Sequence, residues 1–201
     1  MLLLMTEPVG LRERKKWRTR KVLIETAYRL FERQGYDRTT TAEIAAAAEV
    51  STATFFNHFA TKEDLLLTDD GEHLLRVGLD VLAAREAGET PGGLLRRAML
   101  GMLAEAGAGL RDPAAEPERI RLGLITSVPS LRATMLQRAF DAQERLSAAL
   151  CRSCAGEIDE VDAAALVGAV TGAVFAAGRT ALRLGTPLDE AMRRAIGRAT
   201  A

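Results

Sequence analysis

The chain of 201 residues is poor in aromatics, at 4%, and holds only two cysteines and two histidines. Cys151 and Cys154 form a single CRSC, which could be half a zinc site or a redox pair. Structural zinc would need two further Cys or His ligands at suitable spacing, and a thioredoxin-like pair would need a neighbouring βαβ unit. Neither is present, because His58 and His73 are the only histidines. Ordinary helix-borne thiols are therefore expected, with no metal and no cofactor. The longest uncharged run, Ala163 to Gly178, has 16 residues, short of the roughly 18–20 of a bilayer crossing; it predicts a buried helix and no membrane. The opening MLLLM has no basic region before it and falls short of a secretory core of about 7–15 residues, so a cytoplasmic location is expected. Catalysis needs convergent acids, bases, nucleophiles or ligands. Beyond Lys62 there is one histidine and no phosphate-cradling GxxxxGK[ST], so an all-α enzyme is a remote alternative.

Net charge is also lacking, with 27 Lys and Arg against 27 Asp and Glu. As a bulk number this excludes a nucleic-acid binder held by a general positive field. The distribution says otherwise. Residues 1–62 carry eleven basic residues against seven acids, and all four lysines, while the remainder carries sixteen arginines against twenty acids. In RERKKWRTRK, Arg12 to Lys21, seven of ten residues are basic. Such asymmetry points to a phosphate-binding segment, although a solvated tail has the same composition.

Sustained period-two alternation is absent too, and helical periodicity runs almost throughout. The prediction is an all-α protein of about nine helices, a three-helix head followed by a bundle. A first helix is expected from Arg18 to Gln34, with Leu23, Ala27, Leu30 and Phe31 on one stripe and Gly35 at its stop. Thr40 precedes Glu43 by three residues, a capping box for a helix over Thr41 to Ala48. After the break at Glu49-Val50, Ser51 caps a third helix through His58. Thr61, with Asp64 three residues on, predicts a long helix from Lys62 towards Ala87. Later helices are expected at Leu94–Ala108, Glu118–Ser127, Ser130–Ala155, Glu157–Leu184 and on to Arg198.

On the helix after Ser51, Phe55 and Phe59 form a core stripe, while Thr52, Ala53, Phe56 and Asn57 fall on other faces. Two short helices joined by a tight turn, the second with an outer face of small or hydrogen-bonding residues, suit a helix-turn-helix reader of the major groove. The run TTTAEIAAAAEVSTATFFNHFATKEDLL, preceded by LFERQGYDRTT, resembles the DNA-binding domain of the TetR family of transcriptional regulators over about Arg14 to Leu67. The resemblance implies that Thr52, Ala53 and Asn57 approach base edges. It implies that Thr41, Thr54, His58 and Lys62 touch phosphates and that Phe56 lies against the backbone. The basic start of the first helix, including Arg18 and Lys21, then lies near the backbone or minor groove. Two residues depart from the family pattern. Glu49 stands where Gly is usual, at a turn that favours a left-handed residue, and Phe56 stands where Tyr is usual, losing a phosphate bond.

The implied organisation is a flexible arm at residues 1–13, the DNA-binding domain at 14–67, and a helical effector-binding and dimerisation domain at 68–201. Function follows as a homodimeric repressor of a palindromic operator on double-stranded DNA, released by a small-molecule effector; a non-specific architectural DNA binder is the alternative. Leu166, Val170, Ala173, Val174, Ala177 and Ala181 recur at helical spacing and are the candidate dimer face, or else that domain's own core. Seven of the nine aromatics precede residue 60. A pocket lined by Met99, Met102, Leu103, Leu122, Ile125, Met135 and Phe175 would suit an aliphatic or acyl-type ligand better than stacked rings, although such residues are also plain core. Phe56→Tyr is expected to tighten DNA binding equally across sequences, through the restored phosphate contact; titration of several duplexes checks this, and equal or weaker affinity would count against the placement of Phe56.

Overall fold

A computed structural model describes residues 10–66, 70–106, 121, 123–125 and 127–201, the side chains of residues 11–13 and 70 excepted. Among the described residues there are helices and no strand. They fall into two compact units. The N-terminal unit holds residues 10–66 and the described residues between 121 and 135; the C-terminal unit holds residues 70–106 and 136–201.

In the N-terminal unit α1 spans Leu11–Gln34. It starts seven residues before Arg18 because the basic stretch contains strong helix formers and no breaker, so the expected arm is already helical from Leu11. Leu23, Ala27, Tyr28 and Phe31 are buried, and Gly35 ends the helix at φ 86°, a conformation glycine adopts without steric cost. α2, Thr41–Ala47, and α3, Thr52–Phe56, follow. The predicted long helix from Lys62 is instead a 3₁₀ turn over Glu63–Leu65, and α4 begins at Asp70. The cap does form, with Asp64 N–H donating to Thr61 Oγ1 at 3.2 Å and Thr61 N–H to Asp64 Oδ2 at 3.0 Å. Anchors from elsewhere set the local path: Tyr36 Oη donates to Glu63 at 2.7 Å, and the consecutive Leu65 and Leu66 are both fully buried. Leu131 joins this core, with Leu124 and Val128 packed against it.

The C-terminal unit contains α4, Asp70–Ala83, α5, Pro91–Glu105, most of α6, Pro129–Ser153, and α7, Glu160–Leu184, and α8, Leu188–Ala199. α5 starts three residues before the expected Leu94, since Thr90 caps it and Pro91 fits a first helical turn. α7 starts at Glu160 because Asp159 accepts from Asp162 N–H at 2.8 Å. The helix expected at Glu118–Ser127 lies largely outside the described residues, although those described from 121 to 127 are all helical. Leu82, Leu94, Leu95, Ala98, Leu150, Val167, Val170 and Ile196 build the core. At its edge Arg97 forks onto both oxygens of Glu89, at 2.9 and 2.8 Å, and this bond holds the Glu89 carboxyl down at about 2.

The predicted buried helix differs from expectation. α7 is 25 residues long and holds an 18-residue window of mean hydropathy 1.7, long and apolar enough to cross a membrane by length and composition, yet only 22% of that window is buried within the chain. One face packs inside and the other is open, as the near-uniform Ala, Gly and Val composition allows. Two other glycines bear differently on packing. A Cβ on Gly78 would meet Met102 Sδ at 2.6 Å and Leu146 at 3.3 Å, whereas one on Gly101 would meet only Val81 and Val77 at ordinary contact, 3.7 and 3.8 Å. Gly101→Ala is therefore expected to stabilise by about 0.5–1 kcal/mol through helix propensity. Gly78→Ala is expected to destabilise, since overpacking of about 1–3 kcal/mol outweighs that gain. Thermal unfolding midpoints at one fixed protein concentration check both signs.

Candidate nucleic-acid interface

α3 has five residues, too few to persist on propensity alone, and its surroundings hold it. Ser51 Oγ accepts from Thr54 N–H at 3.0 Å, capping its start. Before it, α2 is fixed by the reciprocal box: Glu43 N–H donates to Thr40 Oγ1 at 3.2 Å and Thr40 N–H to Glu43 at 2.8 Å. Ile44 and Ala45 from α2, Ala48 at its C-cap, and Phe55 and Phe59 from the α3 segment are buried in one core. Between the helices Glu49 has φ 56°, the left-handed conformation that the resemblance implied at this turn. Without glycine's freedom this costs about 1 kcal/mol.

From α1, Arg20 clamps the far end of α3. Its guanidinium lies 4.3 Å from the Phe59 ring centroid and its Nη1 donates to the His58 carbonyl at 3.0 Å. The sequence showed Arg20 only as one of seven basic residues; nothing local pairs it with a partner 38 positions away. Lys62 is anchored likewise. Its Nζ donates to the carbonyls of Tyr36 and Thr39, at 2.7 and 3.0 Å, and stands 4.0 Å from the Tyr36 ring centroid. Two of its three protons thus hold the α1–α2 connector to the segment after α3. Burial and the Glu63 bond raise the Tyr36 phenol well above its usual range, so it remains a donor.

These clamps leave Thr52, Ala53, Phe56 and Asn57 exposed. Phe56, 52% exposed, sits edge-on to buried Phe55 with ring centroids 5.4 Å apart. Of the residues read as phosphate contacts, Arg18 is exposed and Lys21 half-buried, 5.5 Å from the Trp17 ring centroid and 3.9 Å from Glu25. Thr41 and Thr54 are half-buried, and the Thr54 hydroxyl is 2.8 Å from Ser51 Oγ. His58 is half-buried with Nδ1 unpartnered. Burial first, then Arg20 and Lys16, hold its pKa below 6.5.

The other site residues are dispersed. Met99, Met102 and Leu103 belong to the core of the C-terminal unit or pack on it; Ile125 and Met135 belong to the N-terminal unit; Leu122 lies outside the described residues. Phe175 is 37% exposed on α7. Of the dimer-face residues, Val170 and Ala181 are buried in the chain's own fold. Leu166, Ala173, Val174 and Ala177 are half-buried, with Leu166 and Val174 packed on the same core. The outward face of α7 is instead Val161, Ala165, Ala169, Gly172 and Ala176.

The lowered His58 pKa fixes the sign of a pH effect. Between the folded value and 6.5 the unfolded chain binds more protons, so this contribution is present above 6.5 and lost as pH falls towards the folded value. The unfolding midpoint is expected to fall below pH 6.5, and less steeply in His58→Gln; parallel slopes would overturn the assignment.

Residues 23–68 match the family model described as bacterial regulatory proteins, tetR family, and residues 89–201 match the model of the MftR C-terminal domain. The HTH-type transcriptional regulator TcmR of Streptomyces glaucescens is 39% identical over 141 residues, covering 69% of this chain and 61% of that protein. This chain thus matches less than two thirds of that relative's length. Among solved structures, the SmeT–triclosan complex superposes with a TM-score of 0.60 at 18% identity, covering 90% of each chain. NalD, the secondary repressor of the MexAB-OprM multidrug efflux pump in Pseudomonas aeruginosa, gives 0.57 at 18% identity, covering 91% of this chain and 95% of that one. At those identities the likeness is one of fold. With a capped helix-turn-helix in the N-terminal match and a helical unit in the C-terminal one, the chain belongs to the TetR family of bacterial regulatory proteins.

Proposed function

We propose that this chain is a cytoplasmic, homodimeric transcriptional repressor that binds a palindromic operator through α3 and releases it when a small aliphatic or acyl-type effector enters the C-terminal helices. The observation that carries the reading is the clamped α3, with Thr52, Ala53, Phe56 and Asn57 exposed beside the basic α1. In this reading Thr52, Ala53 and Asn57 face base edges, while Thr41, Thr54, Phe56, His58, Arg18, Lys21 and the remaining proton of Lys62 face the backbone.

The open face of α7 supports the homodimer. Val161 is 75% exposed, and a Cβ on Gly168 or Gly172 would meet nothing within 4 Å. Glu160 and Asp162 stand at one end of the helix, Arg179 and Arg183 at the other. Antiparallel pairing of two copies about Gly172 sets each acidic end beside a basic one and covers the apolar stripe. Two-fold pairing then sets half-sites one helical turn or a multiple of it apart, about 10–10.5 bp. For the effector, both aromatics after residue 60, Phe140 and Phe175, are exposed, so the core of this unit offers Met and Leu rather than a buried ring. SmeT holding triclosan and NalD acting as a repressor accord with this reading.

Gly172→Trp is expected to give a folded monomer, by sedimentation and circular dichroism, with operator affinity at least tenfold weaker from lost bivalency. Wild-type protein should prefer operator over random duplex by roughly 10³–10⁷; a ratio within a few-fold would mean a non-specific architectural binder.

A further inference from the structure

The exposed surface of α3 and its caps carries no charged side chain. Ser51, Thr52, Ala53, Phe56 and Asn57 are all exposed and all neutral. Guanine is most often recognised through its two major-groove acceptors, O6 and N7, by the paired donors of Arg or Lys, and this surface offers neither. The nearest flanking charge in the chain is exposed Glu49, a carboxylate that repels those same acceptors. What the surface does offer is one carboxamide, Asn57, whose donor and acceptor match adenine N7 and N6, the Thr52 hydroxyl, which bonds either kind of base pair and so favours neither, and two apolar groups, the Ala53 methyl and the Phe56 ring. Apolar groups in the major groove find one apolar feature there, the thymine C5-methyl.

The Phe56 ring is placed to act on it. Phe56 is 52% exposed, and its edge-on contact with buried Phe55, at 83° between ring planes, restrains it without covering it. The Ser51 cap and the buried Phe55 and Phe59 fix the helix beneath. A ring at the wall of the groove can present its face to a methyl while its para position points towards the backbone.

We propose that this protein reads an A·T-dominated half-site, in which Ala53 and Phe56 recognise thymine methyl groups and Asn57 recognises an adenine. The inference rests on the DNA-reading role proposed above and adds the chemical class of the sequence read. Phe56 is a specificity-determining residue in addition to its place along the backbone.

The test selects binding sites for the full-length protein from a pool of random DNA duplexes, then replaces each thymine of the selected site, one at a time, with deoxyuridine, which differs only in lacking the methyl. Enrichment of A·T pairs in each half-site is expected, with an affinity loss of about fourfold for each contacted methyl removed. In Phe56→Ala the penalty at one thymine should disappear, while Phe56→Leu, still apolar, should retain part of it; circular dichroism confirms that both variants fold. 7-Deazaadenine at the read adenine should weaken the wild type and leave Asn57→Ala unaffected. Half-sites read through G·C pairs, or affinity unchanged by deoxyuridine at every position, would overturn the inference while leaving a sequence-specific regulator intact. A pool that enriches nothing would overturn the regulator reading itself, and this inference with it.

Discussion

A five-residue helix cannot hold its own shape, and the surface of the N-terminal unit depends on how this one is held. Forming the first helical turn orders several residues for one hydrogen bond, so α3 exists because Phe55 and Phe59 are buried beneath it and Arg20 closes its far end. That arginine combines a contact on an aromatic face with a bond to a carbonyl, the same pair of contacts that Lys62 makes with Tyr36. Ser51 fixes one end, Arg20 the other, and the core the underside. What remains exposed is neutral and pre-positioned, as suits a surface that must enter a groove.

The same unit accepts a cost at Glu49. A left-handed residue is needed to turn α2 into α3, and the chain supplies a glutamate at φ 56°, with strain and a negative charge at once. Burial of Ile44, Ala45 and Ala48 over-determines the turn. Lys62 shows a related compromise. An ammonium that the family pattern sends to a phosphate spends two donors on the carbonyls of Tyr36 and Thr39, so its first task is to hold the connector in place.

In the C-terminal unit small residues do two kinds of work. Gly178 lets α8 approach, since a Cβ there would meet Met192 at 2.9 Å and Leu188 at 3.5 Å, whereas Gly168 and Gly172 face open space. One apolar helix thus packs on its own core along one face and leaves another uncovered, apolar in the middle and oppositely charged at its ends.

Where a feature rests on residues three or four apart, it was legible from the sequence. The Thr40–Glu43 box, the Ser51 cap and the buried stripe of Phe55 and Phe59 are local contacts, and local spacing encodes them, whereas the left-handed Glu49 followed only from the family resemblance, which has glycine there. The Thr61–Asp64 box was legible too, but not the 3₁₀ turn it opens, because Tyr36 and the buried Leu65 and Leu66 set that path. Likewise Arg20 on Phe59 and Lys62 on Tyr36 join residues 26 to 39 positions apart, and no spacing rule pairs them. For α7 the limit is different: when nearly every residue is small or apolar, periodicity identifies a helix without saying which side turns inward. Only packing against the other helices put Val170 and Ala181 inside and left Gly172 open, since burial is a property of neighbours that a helix does not carry in its own sequence.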